Sequence, residues 1–202
     1  MPTQKRIEKV KRVLSFRQPD LRVVLEEVTN IHNASAVVRT CDAVGILYVD
    51  IISQNKQPLP INEAISTRAE KWIQLNYYSS VSECFAHLRE NGFKIAATHL
   101  GEETLSYTDL DYTQSLAIVF GNESEGVSKE ALNSADFRIK IPLLGMVQSL
   151  NLSVSVGVIL YEAMRQRKDK GFYQKKGLSD EEFKKFFKQW LALPPKALSD
   201  AD

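Results

Sequence analysis

The sequence predicts an α/β fold, a mainly parallel sheet flanked by helices. Two observations carry that reading. Short β-branched or apolar runs alternate with amphipathic stretches along most of the chain, the pattern of parallel strands joined by helical crossovers. One of these runs, Leu116–Phe120 (LAIVF), is apolar at every position, as a strand covered on both faces must be. At 202 residues, 44% of them hydrophobic and 25% charged, the chain suits one soluble globular domain with some appendages. No internal repeat interrupts it, and no apolar run approaches the ~18–20 residues of a membrane span.

Taken in order, residues 4–16 read as a helix. Ile7, Val10, Val13 and Leu14 form a narrow apolar stripe among Lys and Arg, and Pro19 closes the segment. Residues 21–27 (LRVVLEE) form a β-branched strand. Asn33 or Ser35 can cap the next helix, whose apolar positions are Ala36, Val37, Ala43 and Val44 and whose stop is Gly45. Tyr48–Ile52 is a second strand. The stretch 54–71, with Pro58 and Pro60 close together, reads as an irregular surface loop near substrate. A short strand at 73–78, a helix at 81–89 stopped by Gly92, and a strand at 93–98 follow. After Leu116–Phe120 come the loop GNESEG and a short helix at 128–135.

The segment 139–167 is the most informative. A strand at 139–141 stops at Pro142, and an oily loop containing Leu143, Leu144, Met146 and Val147 follows. Loops normally run over the surface, so these side chains are expected to cover a cofactor, a partner subunit or the core. In the long helix that succeeds it, Leu150, Val154, Val158 and Tyr161 recur at helical spacing, with Ser153 and Gly157 on another face. A last helix opens at Ser179 and presents Phe183, Phe186, Phe187, Trp190 and Leu191. Pro194 and Pro195 end it, and the final seven residues are expected to be loose.

The net charge of +1 hides an asymmetry. Residues 1–17 carry six Lys or Arg against one Glu, and residues 165–176 carry six against one Asp. The body between them, 18–164, holds ten positive and eighteen negative side chains. Basic ends around an acidic body suit an anionic polymer gripped at both ends. The candidates for that grip are Lys9, Arg12, Arg165, Arg167 and Lys168; two solvated helix faces are the plainer alternative. Residues 1–14 hold no apolar run, so no secretory leader is expected, and Cys41 and Cys84 have no metal-like spacing. Reduced thiols in a cytoplasmic, metal-free protein are expected.

Familiar nucleotide motifs are missing. GNESEG has two glycines five apart, but Val127 and Ser128 follow where a phosphate loop needs Lys then Ser or Thr. No GxGxxG follows a strand. What remains is three strand-end segments, 33–42 (NASAVVRTCD), 120–126 (FGNESEG) and 141–151 (IPLLGMVQSLN). Ligands of open α/β sheets bind at such ends.

These three segments resemble, intact and in order, the motifs of the SPOUT superfamily of RNA 2′-O-ribose methyltransferases, in its TrmH branch. The likeness covers about residues 20–168. The flanks, RQPDL and YEAMRQR with its basic tail, narrow it to the enzymes that methylate a guanosine ribose in tRNA, at position 18 of the D-loop. Another RNA target (ribosomal or wobble) and a non-catalytic RNA-binding protein on the same fold are the alternatives. The resemblance implies a trefoil knot at about 116–168. True knots are essentially absent elsewhere. It also implies a basic helical extension at 1–19, a basic, aromatic one at 169–202, and a homodimer with the 149–167 helix at its interface. By the same resemblance, S-adenosylmethionine is the cofactor, with Thr98, Gly121, Ile141, Met146 and Leu150 lining its site. Arg39 is the catalytic residue, with Asn33, Glu123, Ser149 and Asn151 orienting it and the nucleotide. Because Arg stays protonated in proteins, the role expected for Arg39 is electrostatic, a guanidinium aimed at the forming alkoxide.

Overall fold

The computed structural model of the chain describes residues 2–54 and 56–193. Among these residues a seven-stranded sheet has the order β3-β2-β1-β6-β4-β7-β5, every pairing parallel. The strands are β1 (Leu21–Glu26), β2 (Tyr48–Ile52), β3 (Gln74–Tyr78), β4 (Lys94–Thr98), β5 (Leu105–Ser106), β6 (Leu116–Phe120) and β7 (Phe137–Lys140). Strand β6 lies between β1 and β4, and all five of its residues are buried. Its side chains alternate between two cores. Ile118 and Phe120 join the side covered by α2 (Ile31–Val44) and α6 (Leu152–Asp169), with Val37, Val38, Ile159 and Leu160. Ala117 and Val119 join the side covered by α4 (Val81–Glu90) and α5 (Lys129–Ser134), with Phe85, Leu88 and Ala131. Each fully buried aliphatic side chain contributes about 1.5–3 kcal/mol, so this two-sided strand anchors the fold.

Several expected boundaries move, for local reasons. Helix α2 is capped three residues before the expected Asn33: Asn30 is the cap, accepting from the amides of His32 and Asn33. Asn33 and Ser35 therefore lie inside the helix, and the Asn33 side chain is released from capping. Gly45 does end α2, at φ +89°, and a Cβ there would meet the Phe16 carbonyl oxygen at 2.7 Å. The prolines of 54–71 hid two helical pieces, α3 (Glu63–Ser66, capped by Asn62) and a 3₁₀ turn at Ala69–Trp72. The two-residue β5 gave no sequence signal.

Helix α6 starts at its cap Asn151, so Ser149 and Leu150 belong to the loop before it. Its inward face is Val156, Ile159, Leu160 and Ala163. The expected stripe points elsewhere: Val154 and Tyr161 are 49% and 52% exposed. The oily loop is also uncovered within the protomer, with Leu144 and Met146 wholly exposed.

The two ends of the chain pack on each other. Helix α1 (Gln4–Ser15) and helix α7 (Asp180–Ala192) share a third core of Val10, Leu14, Phe186 and Trp190, seated on Leu47 and Trp72. A capping box between Ser179 and Glu182 starts α7. The expectations for Pro194, Pro195 and the last seven residues lie outside the described residues. Charge at these ends is partly internal. Arg6 donates to the carbonyls of Trp190 and Leu193. Arg17 bonds Asp42 and the Ile46 carbonyl, with its guanidinium over the Trp190 ring. Arg167, expected at the RNA surface, is 0% exposed. It donates to Asp20 Oδ1 (2.6 Å), Gln18 Oε1 (3.1 Å) and the carbonyls of Tyr112 (2.8 Å) and Gln114 (3.0 Å). That residue is a structural bolt, because a charge without water needs this full set of acceptors.

Candidate active site

The three strand-end segments converge at the carboxyl ends of β4, β6 and β7. They border a cleft of about 750 Å³, lined among others by Asn33, Thr98, Gly121, Glu123, Ile141, Leu143, Ser149, Leu150 and Asn151. Its position follows from the sheet, since crossover loops gather at strand ends and leave a crevice between them.

The loop after β6 is shaped by its glycines and by Asn122. A Cβ at Gly121 would stand 2.1 Å from the carbonyl carbon and oxygen of Gly126, so only glycine lets the loop fold back on itself. The Asn122 amide donates to the Glu27 carbonyl at 2.8 Å and accepts from the amide of Ser124 at 2.8 Å. Asn122 was not among the expected site residues. An Asn opening a Gly-bounded loop was its signal. Thr98 lines the cleft, but its hydroxyl donates to the Val119 carbonyl at 3.1 Å, tying β4 to β6.

A chain of side-chain hydrogen bonds joins all three segments. Asn33 Nδ2 donates to Glu123 Oε1 at 3.1 Å. Asn151 Nδ2 donates to Asn33 Oδ1 at 3.0 Å. Asn151 Oδ1 accepts from the Ser153 amide at 2.8 Å, capping α6. Both polar atoms of Asn33 are thus engaged, which makes it a positioning residue between the loop at 121–126 and the start of α6.

The remaining expectations separate. Thr98, Gly121, Ile141 and Leu150 border the cleft, as does Ser149; Met146 does not, and its side chain stands free of the protomer. Arg39 lies outside the lining too. It sits six residues beyond Asn33 on α2, about 240° round the helix. It is exposed, with Nη1 donating to the Ile65 carbonyl at 3.5 Å. Cys41, the thiol nearest these motifs, is buried in the core, and burial pushes its pKa far above the ordinary range. It offers no thiolate nucleophile. Of the expected RNA contacts, Arg12 and Lys168 are exposed and Lys9 is half-buried. Arg165 is paired on the surface with Glu162 (2.7 Å) and Asp169 (3.0 Å).

The donor set fits an adenosine-bearing cofactor. Ile141, Leu143 and Leu150 supply apolar cover, and the Gly121 turn stands beside a polar fringe of Asn33, Glu123 and Ser149. Among the described residues no group of three His, Cys, Asp or Glu side chains could hold a metal ion. Nor is any helix among them long and apolar enough to cross a membrane.

Comparisons with known proteins agree with this fold. The profile of the SpoU rRNA Methylase family matches residues 20–161. The tRNA (guanosine(18)-2′-O)-methyltransferase of Thermus thermophilus is 45% identical over 189 residues, spanning 94% of this chain and 97% of its own. The crystal structure of the TrmH/SpoU tRNA modifying enzyme of A. aeolicus superposes with a TM-score of 0.88 at 43% identity, covering 93% of this chain and 95% of that one. An AdoMet-bound rRNA methyltransferase from Sinorhizobium meliloti superposes with a TM-score of 0.62 at 25% identity, over 77% of this chain and 59% of that one.

Proposed function

This chain belongs to the SpoU rRNA methylase family, and we propose that it methylates the ribose 2′-hydroxyl of the guanosine at position 18 of tRNA. The observation that carries the proposal is the Glu123–Asn33–Asn151 chain at the edge of the cleft, which ties the three motifs into one site. The family name refers to ribosomal RNA. Relatives that match this chain nearly end to end are named for tRNA guanosine 18, which supports that substrate. S-adenosylmethionine supplies an electrophilic methyl group on a sulfonium, and the AdoMet-bound relative supports its use here. Ile141, Leu143 and Leu150 would hold its adenosine, aided by the backbone at Gly121.

The chain's own residues bind and orient. Asn33 and Asn151 fix the loop and helix start between which the ribose would sit. Arg39 is an exposed, permanent cation and would grip a phosphate next to that ribose, stabilising the developing alkoxide. Arg12, Lys9 and Lys168 on the basic extensions would follow the RNA backbone. We also propose a homodimer joined along α6, supported by the exposed Val154 and Tyr161 and the uncovered Leu144 and Met146. Light scattering at micromolar concentration should give twice the 22.9 kDa chain mass. The family's knot at 116–168 and a cytoplasmic location belong to the same reading.

The direct test is methylation of an unmodified tRNA transcript, followed by mapping of the product. The expected outcome is one methyl group, on the ribose of the D-loop guanosine. A methyl group on a base, or on ribosomal RNA alone, would replace this reading.

A further inference from the structure

A hydroxyl that attacks a methyl group must lose its proton, and none of the positively charged side chains discussed above can take it. Arg39 is excluded because a guanidinium stays protonated in proteins. The titratable acceptors that line the cleft are Glu123, Glu125 and His99, beside the cations Lys129 and Lys140. Glu125 and His99 differ from Glu123 in one respect: among the described residues no side chain from the motif segments hydrogen-bonds the Glu125 carboxylate or the His99 ring.

Glu123 is fixed, and the direction of every bond that fixes it can be traced from the backbone outward. The Ser153 amide can only donate, so the Asn151 atom facing it is Oδ1. Asn151 therefore turns Nδ2 to Asn33, which must answer with Oδ1. Asn33 is left with Nδ2, an N–H donor, toward Glu123 Oε1. An N–H donor matches a carboxylate oxygen, which can only accept. Glu123 is exposed, and among the described residues no hydrogen bond engages its second oxygen, Oε2.

We propose that Glu123 is the general base of the transfer, accepting the proton of the ribose 2′-hydroxyl on Oε2 while Asn33 holds Oε1. As the oxygen–methyl bond forms and the sulfur–methyl bond breaks, its electron pair stays on sulfur. The hydroxyl proton passes to Oε2 and leaves to solvent after product release. This step rests on the methyl-transfer reading above. It gives Arg39 the charge-stabilising part and Glu123 the proton.

The isosteric variant Glu123→Gln separates basicity from shape. Its amide oxygen can still accept from Asn33, but it cannot take a proton. General-base catalysis typically contributes about 10²–10⁴ in rate. Single-turnover transfer to tRNA should therefore fall at least about 100-fold in Glu123→Gln. Calorimetric affinities for S-adenosylmethionine and for tRNA should stay within threefold of wild type, and so should the Tm. Glu123→Asp, shorter yet basic, should be faster than Glu123→Gln. A Glu123→Gln rate within threefold of wild type would overturn the proposal. So would a tenfold loss of either affinity, which would make Glu123 a binding residue, or a Glu123→Asp rate no better than that of Glu123→Gln. A wild-type protein that methylates no ribose would instead overturn the methyl-transfer reading itself.

Discussion

At the carboxyl ends of β4, β6 and β7, polar side chains surround an open cleft; at the amino ends of β1 and β6, they are sealed around Arg167. Helix α6 connects the two places, with Asn151 at its start in the cleft and Arg167 in its last turn. Asn33, Glu123 and Asn151 each keep a side toward the cleft. Arg167 has none: its acceptors come from Gln18, Asp20, Tyr112 and Gln114, just before β1 and β6. A basic residue two positions from the exposed Arg165 is therefore part of the frame, while Arg165 itself stays at the surface. A charge run in a sequence mixes grip with framework, and only the acceptor shell tells them apart.

The largest effect expected from that difference is on stability. Arg167→Ala would leave Asp20 and several carbonyls without their donor. Breaking a fully buried ion pair costs about 3–5 kcal/mol, and solvent reaching the 36%-exposed Asp20 side chain makes the loss smaller here. Thermal melting should fall by about 2–4 °C per kcal/mol for a chain this long. Arg167→Lys should recover only part of the loss, since an ammonium lacks the planar fork. Arg165→Ala should melt at nearly the wild-type temperature. If the two alanine variants melt alike, the contrast between the two ends of the sheet fails.

At the cleft the effect should appear in rate. Arg39→Ala should slow transfer by about 10²–10³, the usual loss for one preorganised transition-state group. Its calorimetric affinity for S-adenosylmethionine should not change, because Arg39 does not line the cleft. A rate within threefold of wild type would remove Arg39 from the chemistry. Asn33→Ala should cost about 1–3 kcal/mol of stability, for two hydrogen bonds lost at about 0.5–1.5 each. Urea titration would read it. A smaller loss would mean that the three segments stay together without Asn33.

The smallest effect concerns the basic ends. Replacing Lys9, Arg12 and Lys168 by Ala should weaken tRNA binding and lower its log–log salt slope by a little under one unit per lost phosphate contact. Fluorescence titration over a salt series measures this, and an unchanged slope would assign these residues to solvated surface.

Much of this was legible beforehand. Hydrophobic pattern located six of the seven strands among the described residues, because a buried strand has little freedom of composition. The site was legible as three motifs, and the structure joins them by hydrogen bonds between Asn33, Glu123 and Asn151. What escaped depends on partners distant in sequence. Arg167 looked like its neighbours because its acceptors lie 53 to 149 residues away. The inward face of α6 was not legible because Val154 and Tyr161 are as apolar as the inward Val156 and Ile159, so periodicity alone could not choose the face. Asn30 was overlooked as the cap of α2 because Asn33 and Ser35 are equally good capping residues.

The claim that the cleft acts on a ribose hydroxyl is tested most directly with tRNA carrying 2′-deoxyguanosine at position 18. The 2′-hydroxyl distinguishes RNA at a given site, and the deoxy substrate lacks only the proposed acceptor. The account predicts that this tRNA binds with near wild-type affinity, competes with normal substrate and takes up no methyl group. Methyl incorporation at that nucleotide would contradict it.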